Sequence, residues 1–256
     1  MQLFRATRVE FKRSIKSVSF ILQILLLFAM MCLNNIEVFS GTQKAEGLLS
    51  TISIGLTNSD FSYLLLLLGT ISFGWSYCAD HNCGFEKEAV TRVGLSRYGV
   101  GKHIAAVCSS ILAADLSILL FVLFQLARGV GMDDIISGNE YLGLVESHGI
   151  GAYLCCRVIV TGLSCGFAAG LALVVSAYCR NIYLSMLTPL MLYLTMLSVF
   201  RLQLIPIPEL NPDTILFGRV YGEPMKAFWW AMGYLSILIL LCGVFFVKRI
   251  RREYYE

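Results

Sequence analysis

Residues 103–127 read HIAAVCSSILAADLSILLFVLFQLA, a run holding one carboxylate, Asp115, and neither lysine nor arginine. A hydrocarbon core about 30 Å thick is crossed by roughly 20 apolar residues in a helix. The run is long enough to span a bilayer and has no polar face to turn toward water. Five more runs share its character: 17–36, 61–79, 150–178, 184–204 and 227–247. Composition agrees, with 57% hydrophobic and only 14% charged residues among 256 and a mean hydropathy of +0.72. The expected fold is all-α: a polytopic membrane protein of six transmembrane helices forming one transmembrane domain, 1–256.

Orientation follows from lysine and arginine, which concentrate in cytoplasmic loops. With both termini in the cytoplasm, fourteen of the twenty basic residues fall on that side, at the ends of the chain and around 87–102 and 180. The leading segment MQLFRATRVEFKRSIKSV is too long and charged for a signal peptide, and polar sequence follows the first run instead of a small-residue cleavage site, so that run is a retained span. Within 2–16, Leu3, Phe4, Val9, Phe11 and Ile15 lie among five cations. This pattern suits an interfacial helix on anionic lipids, with a simple extension of the first span as the alternative.

Between the second and third runs stands CADHNCGFEKEAVTRVGLSRYGVGKH, Cys78 to His103. Cys78 and Cys83 flank His81, but no second ligand cluster exists, so no metal site is expected. From Gly84 onward, Phe85, Ala89, Val90 and Val93 can share one face, with Glu86, Lys87, Glu88 and Arg92 exposed. That describes a short surface helix over 84–96, weakened at Gly94 and ended by Gly99 and Gly101. Such a helix can dock its apolar face in a partner's groove; a solvated turn is the alternative.

Asp115 is costly at mid-membrane, and either ties neighbouring helices or lines a polar path. The segment 37–60 is rich in Gly, Ser and Thr and reads as a loop with a short amphipathic piece between Leu48 and Leu56. Asp133, Asp134 and Glu140 read as a solvated acidic run. Gly166 and Gly170 form a small-xxx-small step that lets helices approach closely, while Arg157 is expected near the outer interface with its stem snorkelling. Prolines 206, 208, 212 and 224 forbid a straight helix across 203–224, which reads as an outer re-entrant segment. Trp229 and Trp230 suit an interface anchor. Most of the nine cysteines lie in apolar runs and behave as small hydrophobes. A net charge of +3 without a basic field gives no support for nucleic-acid binding. No Walker loop, His-Glu-x-x-His or Gly-x-Ser-x-Gly occurs, so no catalytic residue is assigned.

The stretch FEKEAVTRVGLSRYGVGKHIAA, Phe85 to Ala106, resembles the coupling-helix region in the membrane subunit of type 2 ATP-binding cassette exporters. In that family the coupling helix is followed by an Arg and Tyr and then by a Lys opening the third span, matched here by Arg97, Tyr98 and Lys102. An acidic residue often precedes the helix, a place that Asp80 or Glu86 fills. The resemblance implies that Phe85, Glu86, Glu88, Val90, Arg92 and Val93 grip a separate nucleotide-binding ATPase subunit, helped by the helix over 2–16. Two copies of that subunit would carry ATP and Mg, with no cofactor on this chain, and a second permease subunit, identical or homologous, would complete the pathway. Small bacterial members with this loop pattern are similar to exporters of amphipathic peptides such as phenol-soluble modulins, or to antibiotic-immunity transporters. The implied location is the bacterial cell membrane. Drug or sodium export and a non-transporting scaffold or peptide sensor are the alternatives.

Overall fold

A computed structural model describes residues 2–40, 47–57, 63–131, 149–202, 207, 210–217 and 223–255; the acidic segment with Asp133, Asp134 and Glu140 lies outside them. Among the described residues there are twelve helices and no strand, an all-helical, multi-pass membrane architecture. Four helices are long and apolar enough to cross a bilayer: α8 (Leu95–Ala127), α9 (Ile150–Cys179), α10 (Ile182–Arg201) and most of α12 (Pro224–Tyr255). A fifth candidate is the pair α1 (Gln2–Ile15) and α2 (Val18–Asn34), bent by 56°. The bend falls at Ser17, whose hydroxyl accepts the Phe20 amide at 3.2 Å and so caps the new helix.

The expected second span is not one helix. It divides into α5 (Leu64–Gly69) and α6 (Ser76–Asn82), joined by turns over 70–75. Beyond α3 (Ile36–Phe39), the short piece expected between Leu48 and Leu56 is a helix, α4 (Leu48–Thr57); it differs from the expected surface segment in being buried, with Leu48, Leu49, Ile52 and Leu56 in the core. Its small polar residues allow close approach to α2, and two side-chain amides tie the pair: Asn34 Nδ2 donates to Gly55 O at 2.7 Å and Asn35 Nδ2 to Thr51 O at 3.0 Å. Buried backbone acceptors need such partners where no water reaches them.

The centre of the bundle is the α8–α9 contact. Gly162, Gly166 and Gly170 recur every fourth residue on α9, and a Cβ at each would meet Asp115, Ile111 and His103 of α8 at 2.7, 2.9 and 3.1 Å. Asp115 therefore points at the glycine stripe, and its Oδ1 has no hydrogen bond among the described residues. Arg157 is buried inside the protein, only 2% exposed, and does not snorkel from the periphery. Of the proline-rich 203–224, the described part includes α11 (Pro212–Phe217), tucked inward. Ser164 of α9 donates to Leu216 O at 2.8 Å, and the Tyr193 hydroxyl donates to Asp213.

Both termini lie at one end of the bundle. There Thr7 of α1 rests against Gly101 of α8, and Arg251 of α12 donates to the Ser96 hydroxyl of α8 at 2.6 Å. The surface helix α7 (Phe85–Val93) sits at the same end, between Gly84 and Gly94, whose φ values of 73° and 89° are open to glycine without strain.

Candidate functional site

At that charged end a carboxylate is buried among cations. Asp80, near the end of α6, is 1% exposed. It accepts two hydrogen bonds from Arg13 of α1, at 2.7 and 3.1 Å, one from the Tyr98 hydroxyl of α8 at 3.1 Å, and one from Lys102 Nζ. Lys102 is fully buried, with Glu10 of α1 at 3.8 Å and the rings of Phe73 and Tyr98 each 5.3 Å from Nζ. An ion pair removed from water persists only when its charges and donors are matched in this way. The cluster fastens α1, α6 and the first turns of α8 to one another.

A second carboxylate fixes α7. Glu86 was expected in solvent but is 3% exposed, accepting the Tyr77 hydroxyl at 2.7 Å, with His81 Nδ1 2.7 Å from its other oxygen. The physical reason is helical phase. Ala89, Val90 and Val93 turn inward as expected, but the position one turn before them on that face is Glu86 and not Phe85, since 86, 89, 90 and 93 follow the helical repeat, and Tyr77 and His81 of α6 receive the Glu86 carboxylate. Phe85 is thereby released outward, 44% exposed, with the Arg13 guanidinium 5.0 Å from its ring. Glu88 and Arg92 are exposed, as is Arg97.

Between α1 and α7 runs a groove of about 470 Å³. Its walls carry apolar Ala6, Val9, Phe85, Ala89 and Val93 with charged Arg5, Glu88 and Arg92, and its most buried lining residues are Glu10 and Tyr98. The sequence-predicted residues thus separate into two layers. Phe85, Glu88, Arg92 and Val93 line the groove, whereas Glu86 and Lys102 belong to the buried network beneath it. Tyr98 joins the layers, touching the groove while bonding Asp80. Val90 packs into the adjoining apolar cluster around Tyr77, Phe246 and Ile250, and Asp115 lies further along α8, away from this site. Arg13, Glu10 and Tyr77 are partners that sequence reading missed; the one available signal was a basic residue at the very start of an apolar run, Lys102, which needs a carboxylate once buried.

Burial alone raises a carboxyl pKa, but the charge of Lys102 and the hydrogen bonds from Arg13 and Lys102 outweigh it and hold Asp80 below its ordinary value of 3.8. A carboxyl depressed in the folded state stabilises above its unfolded pKa, and that contribution is lost as pH falls through the folded value. The cluster's contribution to thermal stability in detergent is therefore expected to stay level from about pH 7 to about pH 5 and to fall only below about pH 4. An acid limb no shallower in Asp80→Asn than in the parent would assign the loss to other groups.

Chemically the groove offers apolar walls, charges of both signs and the buried Glu10 and Tyr98 at its base, joined to the ion-pair network beneath. Among the described residues no group of three or more metal-ligating side chains occurs. No protein-family model, curated protein or solved structure matches this chain.

Proposed function

We propose that this chain is the membrane subunit of an ATP-driven exporter in a bacterial cell membrane, crossing six times with both termini cytoplasmic and docking a separate nucleotide-binding subunit in the α1–α7 groove. The observation that carries the reading is the groove itself: two helices far apart in sequence meet there, α1 fastened through Asp80 to α6 and the root of α8, and α7 fastened through Glu86 to Tyr77 and His81 of α6. A partner helix seated in such a groove would move α7 against a stiff support, and the motion would pass into α8 without being absorbed locally. ATP and Mg belong to the partner, two copies of which would serve a pair of permease chains. The apolar character of the interior supports amphipathic peptides or other hydrophobic cargo: a cavity of about 270 Å³ among α5, α9, α10, α11 and α12 is lined by Leu66, Phe167, Leu192, Met196, Ile215 and Leu238 among others, with no charged residue in its wall.

The test is to purify the tagged full-length chain from its native membrane and assay Mg-dependent ATP hydrolysis with and without amphipathic peptides. A co-purifying ATPase stimulated by peptide is the expected result. Absence of any ATPase would overturn the reading, and an ATPase indifferent to peptides, drugs and sodium would favour a scaffold. Phe85→Asp, at an exposed position, is expected to weaken the association by at least about tenfold, the scale of losing one aromatic anchor, while membrane insertion stays unchanged. Retained association in that variant would place the contact elsewhere.

A further inference from the structure

The interruption between α5 and α6 is supported from outside in a way that an accidental irregularity would not be. The helical ladder is largely replaced: Thr70 and Ile71 donate to Leu67 O and Leu68 O at 3.1 Å each, and Ser76 donates to Phe73 O at 3.1 Å, bonds of the tighter 3₁₀ kind, with one α-type bond left between them, from the Gly74 amide to Thr70 O at 3.1 Å. The Ser72 amide takes Gln23 Oε1 of α2 at 3.1 Å. Gly69 O, which in a continuous α-helix would receive the Phe73 amide, instead accepts the Ser110 hydroxyl of α8 at 2.7 Å. Gln23 Nε2 closes the circuit on that same Ser110 hydroxyl at 3.2 Å. Gln23 and Ser110 are both fully buried. Two side chains from two neighbouring helices thus occupy the backbone groups that an unbroken helix would use itself.

We propose that residues 70–75 form a conformational joint in the second membrane crossing, switching between the interrupted form pinned by Gln23 and Ser110 and a continuous α-helix running from α5 into α6. Backbone groups in an apolar medium need partners in either state: the interrupted form supplies them to the Ser72 amide and Gly69 O through side chains, the continuous form through its own ladder. Passing from 3.0 to 3.6 residues per turn changes the rotation by about 20° per residue, so three such residues turn α6 by roughly 60°. α6 carries Tyr77 and Asp80, the groups that hold α7, α1 and α8. Rotation at the joint therefore loosens the charged end, and a pull on the charged end loads the joint. The inference deepens the exporter reading by supplying a moving part, but it rests on contacts within this chain and its test needs no partner or nucleotide.

Cys78 is a native reporter, wholly buried on α6, while Cys83 just beyond it is exposed and Cys165 on α9 is wholly buried. The experiment is maleimide labelling of the full chain in lipid nanodiscs, read cysteine by cysteine by mass spectrometry, in the parent, Gln23→Leu and Ser110→Ala. Removing either pin is expected to raise the labelling rate of Cys78 at least fivefold with Cys165 still protected. Cys78 as protected in both variants as in the parent would overturn the joint. If Gln23→Leu exposes Cys165 as well, it has lost its fold, and Ser110→Ala, which removes only a hydroxyl, decides alone.

Discussion

Asp80→Ala is expected to cost the folded protein about 3–5 kcal/mol, the range for breaking a buried pair by deleting one partner. The deletion strands Lys102, which is fully buried and keeps Glu10 at 3.8 Å as its carboxylate among the described residues, beside the rings of Phe73 and Tyr98. It also leaves Tyr98 without its acceptor and releases α1, whose Arg13 is bonded through both terminal nitrogens to Asp80. Arg13 itself is 45% exposed and regains water, so it adds little to the cost. The opposite deletion is asymmetric. Lys102→Met leaves Asp80 with Arg13 and Tyr98, and its flexible apolar chain fills the same volume, so it is expected to cost clearly less. Combining the two should cost no more than Asp80→Ala alone, because the stranded charge has been removed. Denaturant unfolding of the two singles and the double in one detergent measures this cycle. Additive losses would mean that Lys102 and Asp80 do not interact as the geometry says.

How much of this was legible beforehand depended on whether a residue's role was local. The third and fourth apolar runs became α8 and α9 because length and uniform apolarity suffice to identify a buried or spanning helix. Gly166 and Gly170 were visible as a close-packing step; Gly162 was not singled out, and extends the stripe by one more turn. The helix at 85–93 and the inward side of Ala89, Val90 and Val93 are legible, but the first residue of that face is not: Glu86 is buried against Tyr77 and His81 of α6, and Phe85 is exposed. α4 was legible as a short piece between Leu48 and Leu56, but its burial was not, because Ser50 and Thr51 read as loop residues, whereas in the structure both are buried. The break in the second crossing falls on GTISFGWS, 69–76, where Gly, Thr and Ser interrupt the apolar run, but the run as a whole still reads as one span, and what holds the break open is Gln23, 49 residues away from Ser72. The same holds for Asp80 and Lys102, each ordinary at the margin of its own apolar run and joined only by the packing of α6 on α8.

Gly166→Leu is expected to cost at least about 3 kcal/mol, at the upper end for inserting volume into a packed core, and to abolish the native bundle in a large fraction of molecules. Even the first added carbon would stand 2.9 Å from Ile111 Cγ1, 3.1 Å from its Cδ1 and 3.2 Å from Val107 Cγ1. A leucine adds three carbons beyond that, and both neighbours are β-branched side chains on α8 with few rotamers to retreat into. Relief has to come from the helices moving apart. Separation cannot stay local, because Gly162 one turn away seats Asp115 and Gly170 one turn the other way seats His103, whose Nε2 is 3.0 Å from Ile239 O of α12. Lipid tails do not push helices together as water does, so close van der Waals packing supplies much of the association and its loss is not replaced. Gly166→Ala should be milder, since only the first carbon must be accommodated, and Gly151→Leu, where an added Cβ meets nothing within 4 Å, is the control expected to be near neutral. Thermal unfolding of the three variants in one detergent reads the order directly. A Gly166→Leu protein as stable as Gly151→Leu would show that α8 and α9 are not held at the separation on which the placement of Asp115 depends.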